Sequence, residues 1–87
     1  MRDGVWTHGS DTALQAWIAG ASRTIVVTRE AIEDHLALTP QQAAEMTAAQ
    51  RCEFVTDHLA QVIAAADRKA VWSDHPADPV MIGTGEL

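Results

Sequence analysis

The first third of the chain is rich both in hydrophobic residues and in residue types that favour strands. Residues 24–28 are β-branched throughout, which favours a strand, and an isolated strand leaves its backbone hydrogen bonds unmade. The nearest partner is the segment 13–19, although Leu14, Trp17 and Ile18 in that segment also suit a helical stripe. We predict an antiparallel hairpin with a loop at residues 20–22, and the helical interpretation of residues 13–19 remains the alternative.

Helix-start signals follow the second predicted strand. Thr28 has the residue type of an N-cap, and acidic residues occupy the next turns, where the helix dipole favours negative charge. The pattern predicts a short helix to about Ala37, with Ile32 and Leu36 forming a narrow apolar face. Such a helix suits one side of a small sheet.

A second helix start lies at Thr39, where Thr39 and Gln42 form a T-x-x-Q capping box with Pro40 at the first helical position. No Gly or Pro follows until Pro76, so the pattern predicts one long amphipathic helix to about Ala70. Its apolar residues alternate four and three apart: Ala48, Cys52, Val55, Leu59, Val62 and Ala66. This spacing is typical of a packing seam, either on a globular core or in a coiled coil.

The predicted length of that helix bears on assembly. A helix over residues 40–70 would be about 45 Å long, whereas a compact domain of 87 residues has a diameter of about 30–35 Å. The overhang would expose apolar surface, which self-association would cover. We therefore predict a homodimer whose interface uses the seam residues Cys52, Val55, Leu59, Val62 and Ala66.

The two ends of the chain carry weaker patterns. Residues 1–12 are rich in turn formers and predict a loose lead-in, and residues 83–87 predict a loose C-terminal end. Between them, Val80 to Ile82 follow a Pro- and Asp-rich loop and suit a short edge strand. The whole predicts a single α+β domain over residues 1–87, in which the hairpin and the C-terminal strand are covered by a short helix and one long amphipathic helix.

Composition and charge narrow the partners. Twelve acidic residues against six basic ones give a net charge of -6, which disfavours nucleic acid and favours basic partners or none. No run of residues is apolar and long enough for a membrane span. Cys52 is the single cysteine, so no intramolecular disulfide can form, and we expect a cytoplasmic protein.

Three adjacent Asp-His pairs are the most suggestive chemical pattern, because both side chains bind metals and move protons: Asp34-His35, Asp57-His58 and Asp74-His75. Adjacent residues on a helix diverge by about 100°, so only the tertiary fold could bring His35 and His58 to one site. Edge-of-core or surface histidines are the alternative.

Glu53 and Asp57 share a helix face and could hold a hard cation or act as an acid/base pair. A solvated outer face explains them equally well. Trp6, Trp17 and Trp72 are typical of core or sheet-covering anchors, although two of them exposed together would favour a binding patch.

The order TALQAWIAGASRTIVV, then TREAIEDHL, then an amphipathic helix and a short terminal strand resembles the family of short bacterial proteins catalogued as domain of unknown function 1488. The resemblance implies a small α+β cytoplasmic domain and supports the hairpin interpretation of residues 13–19. It implies no activity and no functional residue.

Three functional hypotheses follow. The first is a non-enzymatic protein without a cofactor that works by association with itself and with a protein partner. The second is a small metal-binding or acid/base protein that uses His35 and His58 or Glu53 and Asp57. The third is an acidic inhibitor that occupies the nucleic-acid site of a basic partner.

Overall fold

A four-stranded sheet and four helices make up the fold in the computed structural model, which describes residues 5–18, 20–70 and 79–87. The elements in chain order are β1 (Val5–His8), β2 (Asp11–Ile18), β3 (Ala21–Val27), α1 (Arg29–Leu36), α2 (Pro40–Glu45), α3 (Ala48–Asp57), α4 (Leu59–Ala70) and β4 (Val80–Ile82). The strands lie in the order β1-β2-β3-β4. The predicted α+β class is confirmed, whereas Trp72 and the pair Asp74-His75 lie outside the described residues.

The predicted hairpin forms, with a shorter loop than expected. Strands β2 and β3 are antiparallel, and the register pairs Ile18 with Ala21 and Trp17 with Ser22. Residues 21 and 22, predicted as loop, therefore belong to β3. Gly20, which directly precedes β3, has a φ of 84°, a conformation that glycine adopts without a steric penalty in tight turns.

The predicted loose lead-in over residues 1–12 is wrong for its described part. Val5–His8 form an antiparallel edge strand on β2, with Val5 opposite Leu14 and His8 opposite Asp11. The turn between these strands contains Gly9, which has a φ of 64°. Turn-forming residues here mark a tight hairpin turn.

The prediction of a single helix over residues 40–70 is also wrong, because the helix is interrupted twice. At the first break, Met46 is extended and Thr47 caps α3. Thr47 Oγ1 accepts from the Gln50 backbone N–H at 3.1 Å, and the Thr47 N–H donates to Gln50 Oε1 at 2.8 Å. This second T-x-x-Q capping box starts α3. It therefore ends α2, the helix that the first capping box begins.

The second break lies at His58, which has a φ of -113° and a ψ of 26°. Its Nδ1 lies 2.9 Å from the Phe54 carbonyl oxygen, and its backbone N–H donates to the Phe54 and Val55 carbonyls. Helix α4 then restarts with the Val62 N–H donating to the His58 carbonyl. Both breaks remove the overhang on which the predicted homodimer rested.

The helices cover one face of the sheet, as expected. Helix α3 contacts β1 and β2, and α4 contacts β2 and β4. Three of the seam residues, Val55, Val62 and Ala66, join the sheet's apolar residues in one buried cluster that also includes Leu14, Ile18, Ile25, Val27, Ile32, Phe54, Val80 and Ile82. The seam therefore packs against the protein's own sheet.

The C-terminal segment is held to the fold. Strand β4 lies at the edge beside β3, to which it is parallel, which confirms the predicted edge strand. Residues 83–87 are not loose: Glu86 Oε1 accepts from the Gly83 N–H at 2.6 Å and from Lys69 Nζ at 2.9 Å. These two donors, of which the Gly83 N–H has the larger effect, hold the pKa of Glu86 below its ordinary value.

Candidate functional site

His35 and His58 meet in the tertiary fold. Their ring centroids are 5.4 Å apart, and both rings contact Phe54. His58 stacks on Phe54 with centroids 4.2 Å apart, while His35 approaches it edge-on at 5.5 Å. The last turn of α1 supplies His35, and the kink between α3 and α4 supplies His58.

Beside this aromatic group lies a cleft of about 470 Å³, which we call the α1–α3 cleft. Its lining comes from the end of α1, from α2 and from α3: Leu36, Leu38, Gln42, Glu45, Met46, Gln50, Glu53, Phe54, Asp57 and His58. Leu36, which belongs to the apolar floor of the cleft, is 41% exposed. The cleft therefore has an apolar floor that is open to solvent.

The shape of the cleft follows from local backbone chemistry. Helix α1 ends with Ala37 in the left-handed conformation, and the Leu38 N–H donates to the Glu33 carbonyl. This arrangement is a Schellman motif, and it directs the chain from α1 into the cleft wall at Leu38. On the other side, Arg51 Nη1 donates to the Met46 carbonyl at 3.0 Å and holds the α2–α3 junction.

Three carboxylates surround the cleft. Glu45 ends α2, and Glu53 and Asp57 lie one turn apart on α3. Among the described residues that line the cleft there is no Lys or Arg. Within the described part of the chain, the ion pairs join Arg29 to Glu33 and Lys69 to Glu86, so these three carboxylates have no cationic partner there.

The candidate metal ligands converge only in part. His35 and His58 approach one another, and Glu53, Asp57 and His58 line one cleft. Nevertheless, residues 5–18, 20–70 and 79–87 contain no group of three or more His, Cys, Asp or Glu residues that could hold a metal ion. The carboxylates are spread around the rim and do not surround one point.

The predicted interface residues are mostly unavailable to a partner. Val55, Val62 and Ala66 are fully buried in the protein's own core. Cys52 is half-buried, with its Sγ 4.0 Å from Thr7 Oγ1. Leu59 is 38% exposed and is the seam residue that a partner could reach.

Leu59 belongs to a second, uncharged depression, which we call the Trp17–Leu59 notch. It has a volume of about 350 Å³ and lies between the sheet and helices α3 and α4, with Val5, Leu14, Gln15, Ala16, Trp17, Thr56, Leu59 and Ile63 as its lining. Trp17 is 73% exposed. On the same sheet, Trp6 is 37% exposed, so both tryptophans of the described residues reach solvent.

Sequence reasoning identified Glu53, Asp57, His35 and His58 but missed the apolar floor of the cleft. The signal that could have found it was the capping box at Thr47 and Gln50, because a helix break there separates α2 from α3. Alternation along β2 places Trp17 on the face opposite Leu14 and Ile18 and so indicates its exposure, but it does not show that Leu59 lies nearby.

In the described ranges, none of the helices combines the length and the hydrophobicity that a membrane span needs. Comparison with known proteins found no matching family model, no matching curated protein and no matching solved structure. The resemblance to domain of unknown function 1488 therefore remains a prediction.

Proposed function

We propose that this protein works by association and that two copies join at the Trp17–Leu59 notch. The observation that carries the proposal is that Trp17, which is 73% exposed, and Leu59, which is 38% exposed, line one uncharged depression. A tryptophan buries about 150–250 Å² when it is covered, and aromatic residues of this kind are frequent anchors of protein interfaces.

The uncharged lining of the notch permits a second copy of this acidic chain as the occupant. Each copy has a net charge of -6, so two copies repel one another wherever their carboxylates meet. The notch is lined by uncharged residues alone among those the structure describes. It is therefore a surface on which two acidic chains can approach without bringing carboxylates together.

A symmetric contact would use the notch twice. In a two-fold dimer the same patch serves both subunits, so Trp17 of each copy would lie against Leu59 and Ile63 of the other. Eight described residues line the notch, fewer than the roughly 20–30 residues a side of a standard interface. We therefore expect a dimer of micromolar affinity that exchanges with monomer.

Replacing Leu59 with Asp tests the proposal. Sedimentation velocity over a range of micromolar concentrations should show a monomer–dimer equilibrium for the wild type and a monomer for Leu59→Asp. The fold should survive, because Leu59 already contacts solvent. Leu36→Asp is the matched control, since Leu36 is equally exposed but lines the other cleft.

The control should retain the wild-type equilibrium. A wild type that stays monomeric at high micromolar concentration would contradict the proposal. So would a folded Leu59→Asp variant that dimerises as well as Leu36→Asp does.

A further inference from the structure

The α1–α3 cleft differs from the notch in charge and calls for a different ligand. Its floor is apolar, with Leu36, Leu38 and Phe54 contributing, but its rim carries Glu45 and two further carboxylates. A ligand that fills it must present an apolar group to the floor. The same ligand gains further free energy if it places positive charge at the rim.

The positions of the carboxylates indicate the kind of cation. Glu45 lies on α2, whereas Glu53 and Asp57 lie one turn apart on α3, a separation of about 6 Å along the helix axis. Among the described residues, no three His, Cys, Asp or Glu side chains are placed to hold one metal ion, so a single ion does not contact all three carboxylates. Several Lys or Arg side chains along a peptide can, because each meets one carboxylate while the chain between them crosses the cleft.

We propose that the α1–α3 cleft docks a basic segment of a protein partner, with one large apolar side chain on the floor between Leu36 and Phe54. The Lys or Arg residues of that segment lie beside Glu45, Glu53 and Asp57. The cleft shares no lining residue with the Trp17–Leu59 notch, so each monomer of a dimer carries one such site.

A second copy of this chain is a poor occupant for the cleft. The chain has six basic residues in all, and two of them, Arg68 and Lys69, are adjacent. Lys69 of this pair already donates hydrogen bonds to Glu86 and to the Met81 carbonyl. Two acidic copies would also bring like charges together at the rim. Charge complementarity therefore favours a different, basic chain.

The probe is a synthetic amphipathic peptide in which Lys residues flank a single Leu, with a second peptide that has Ser in place of the Leu. Binding is followed by the fluorescence anisotropy of the labelled peptide. The Leu peptide should bind about tenfold more tightly than the Ser peptide, because its side chain leaves water for the apolar floor.

Two double variants separate a docked peptide from general attraction to an acidic protein. Glu53→Gln with Asp57→Asn removes two rim charges, and Glu30→Gln with Asp67→Asn removes two exposed charges that do not line the cleft. Both pairs change the net charge equally. The rim pair should weaken Leu-peptide binding about fivefold or more, whereas the control pair should change it less than about twofold.

Backbone amide shifts locate the peptide. On addition of the Leu peptide, the amides of residues 36–58 should move and those of residues 14–17 should not. The proposal is overturned by an absence of binding, by equal losses in the two double variants, or by shifts centred on the notch. Concentration-dependent shifts in residues 36–54 without peptide would place a second copy in the cleft and overturn it as well.

Discussion

Ala37 adopts a backbone conformation that its side chain disfavours. Its φ of 53° places it in the left-handed region as the residue that ends α1. Glycine is the usual residue at this position of a Schellman motif, because a Cβ there clashes with the backbone at a cost of about 1–2 kcal/mol. The motif sets the direction in which Leu38 enters the cleft wall.

Replacing Ala37 with Gly should therefore stabilise the fold. We expect the free energy of unfolding in urea to rise by about 0.5–1 kcal/mol, after the greater freedom of Gly in the unfolded chain is subtracted. Ala64→Gly is the control, because Ala64 is exposed within α4 and should lose about 1 kcal/mol. Equal destabilisation by both variants would show that Ala37 is not strained.

Glu86 links stability to pH. Its pKa is lowered in the folded state by the Gly83 N–H and by Lys69, so the folded state favours the ionised carboxylate. This stabilisation is present above the pKa of Glu in the unfolded chain, about 4.3, and is lost as pH falls through the lower folded-state pKa. Because the carboxylate is partly exposed, solvent screening limits the size of the effect.

We expect Glu86→Gln to destabilise the protein more at pH 7 than at pH 3, as measured by urea unfolding at both values. At pH 3 the wild type has lost part of the advantage that its carboxylate provides. A difference between wild type and variant that does not change with pH would contradict this assignment.

At the scale of elements, local signals predicted the hairpin, the cap of α1, the start of α2 and the edge strand β4. The prediction of one long helix was wrong because the apolar spacing continues in register through both breaks. The break at Thr47 has a local cause that the sequence displays. At the break at His58 the ring meets the Phe54 carbonyl and stacks on the Phe54 side chain, but His is not a strong helix breaker by type, so the sequence does not mark this break.

Thr47→Ala tests whether the cap separates α2 from α3. Loss of the Thr47–Gln50 capping box should lower the free energy of unfolding by about 1 kcal/mol. Thr39→Ala removes the box at the start of α2 and should cost a similar amount, so it serves as the reference at the same protein concentration. A Thr47→Ala variant as stable as the wild type, beside a destabilised Thr39→Ala, would show that the first break does not depend on its cap.

At the scale of the whole molecule, composition predicted an acidic surface but not its distribution. The fold gathers three carboxylates at the α1–α3 cleft and leaves the Trp17–Leu59 notch uncharged. Sequence spacing also could not show that His35 and His58 meet, or that Val55 and Val62 face the protein's own sheet. The apolar spacing of a seam is the same in the sequence whether the seam packs against a partner or within one chain.

The two surfaces should respond to salt in opposite directions. Added salt screens the repulsion between copies that each carry a charge of -6, so dimerisation should hold or strengthen. Peptide binding at the cleft should weaken, because its charge pairs are screened. Sedimentation and anisotropy over the same salt series check this, and a dimer that dissociates as salt rises would argue for a charged interface elsewhere.

The most direct test of association at the notch is the Trp17 indole N–H resonance in a ¹⁵N-labelled sample at increasing protein concentration. Trp17 and the amides near Leu59 should shift together along one binding curve, and Leu59→Asp should abolish the shift. Trp6, which is not part of the notch lining, provides an internal reference. A Trp17 resonance that stays fixed up to high micromolar concentration, or that moves no more than Trp6, would contradict association through this surface.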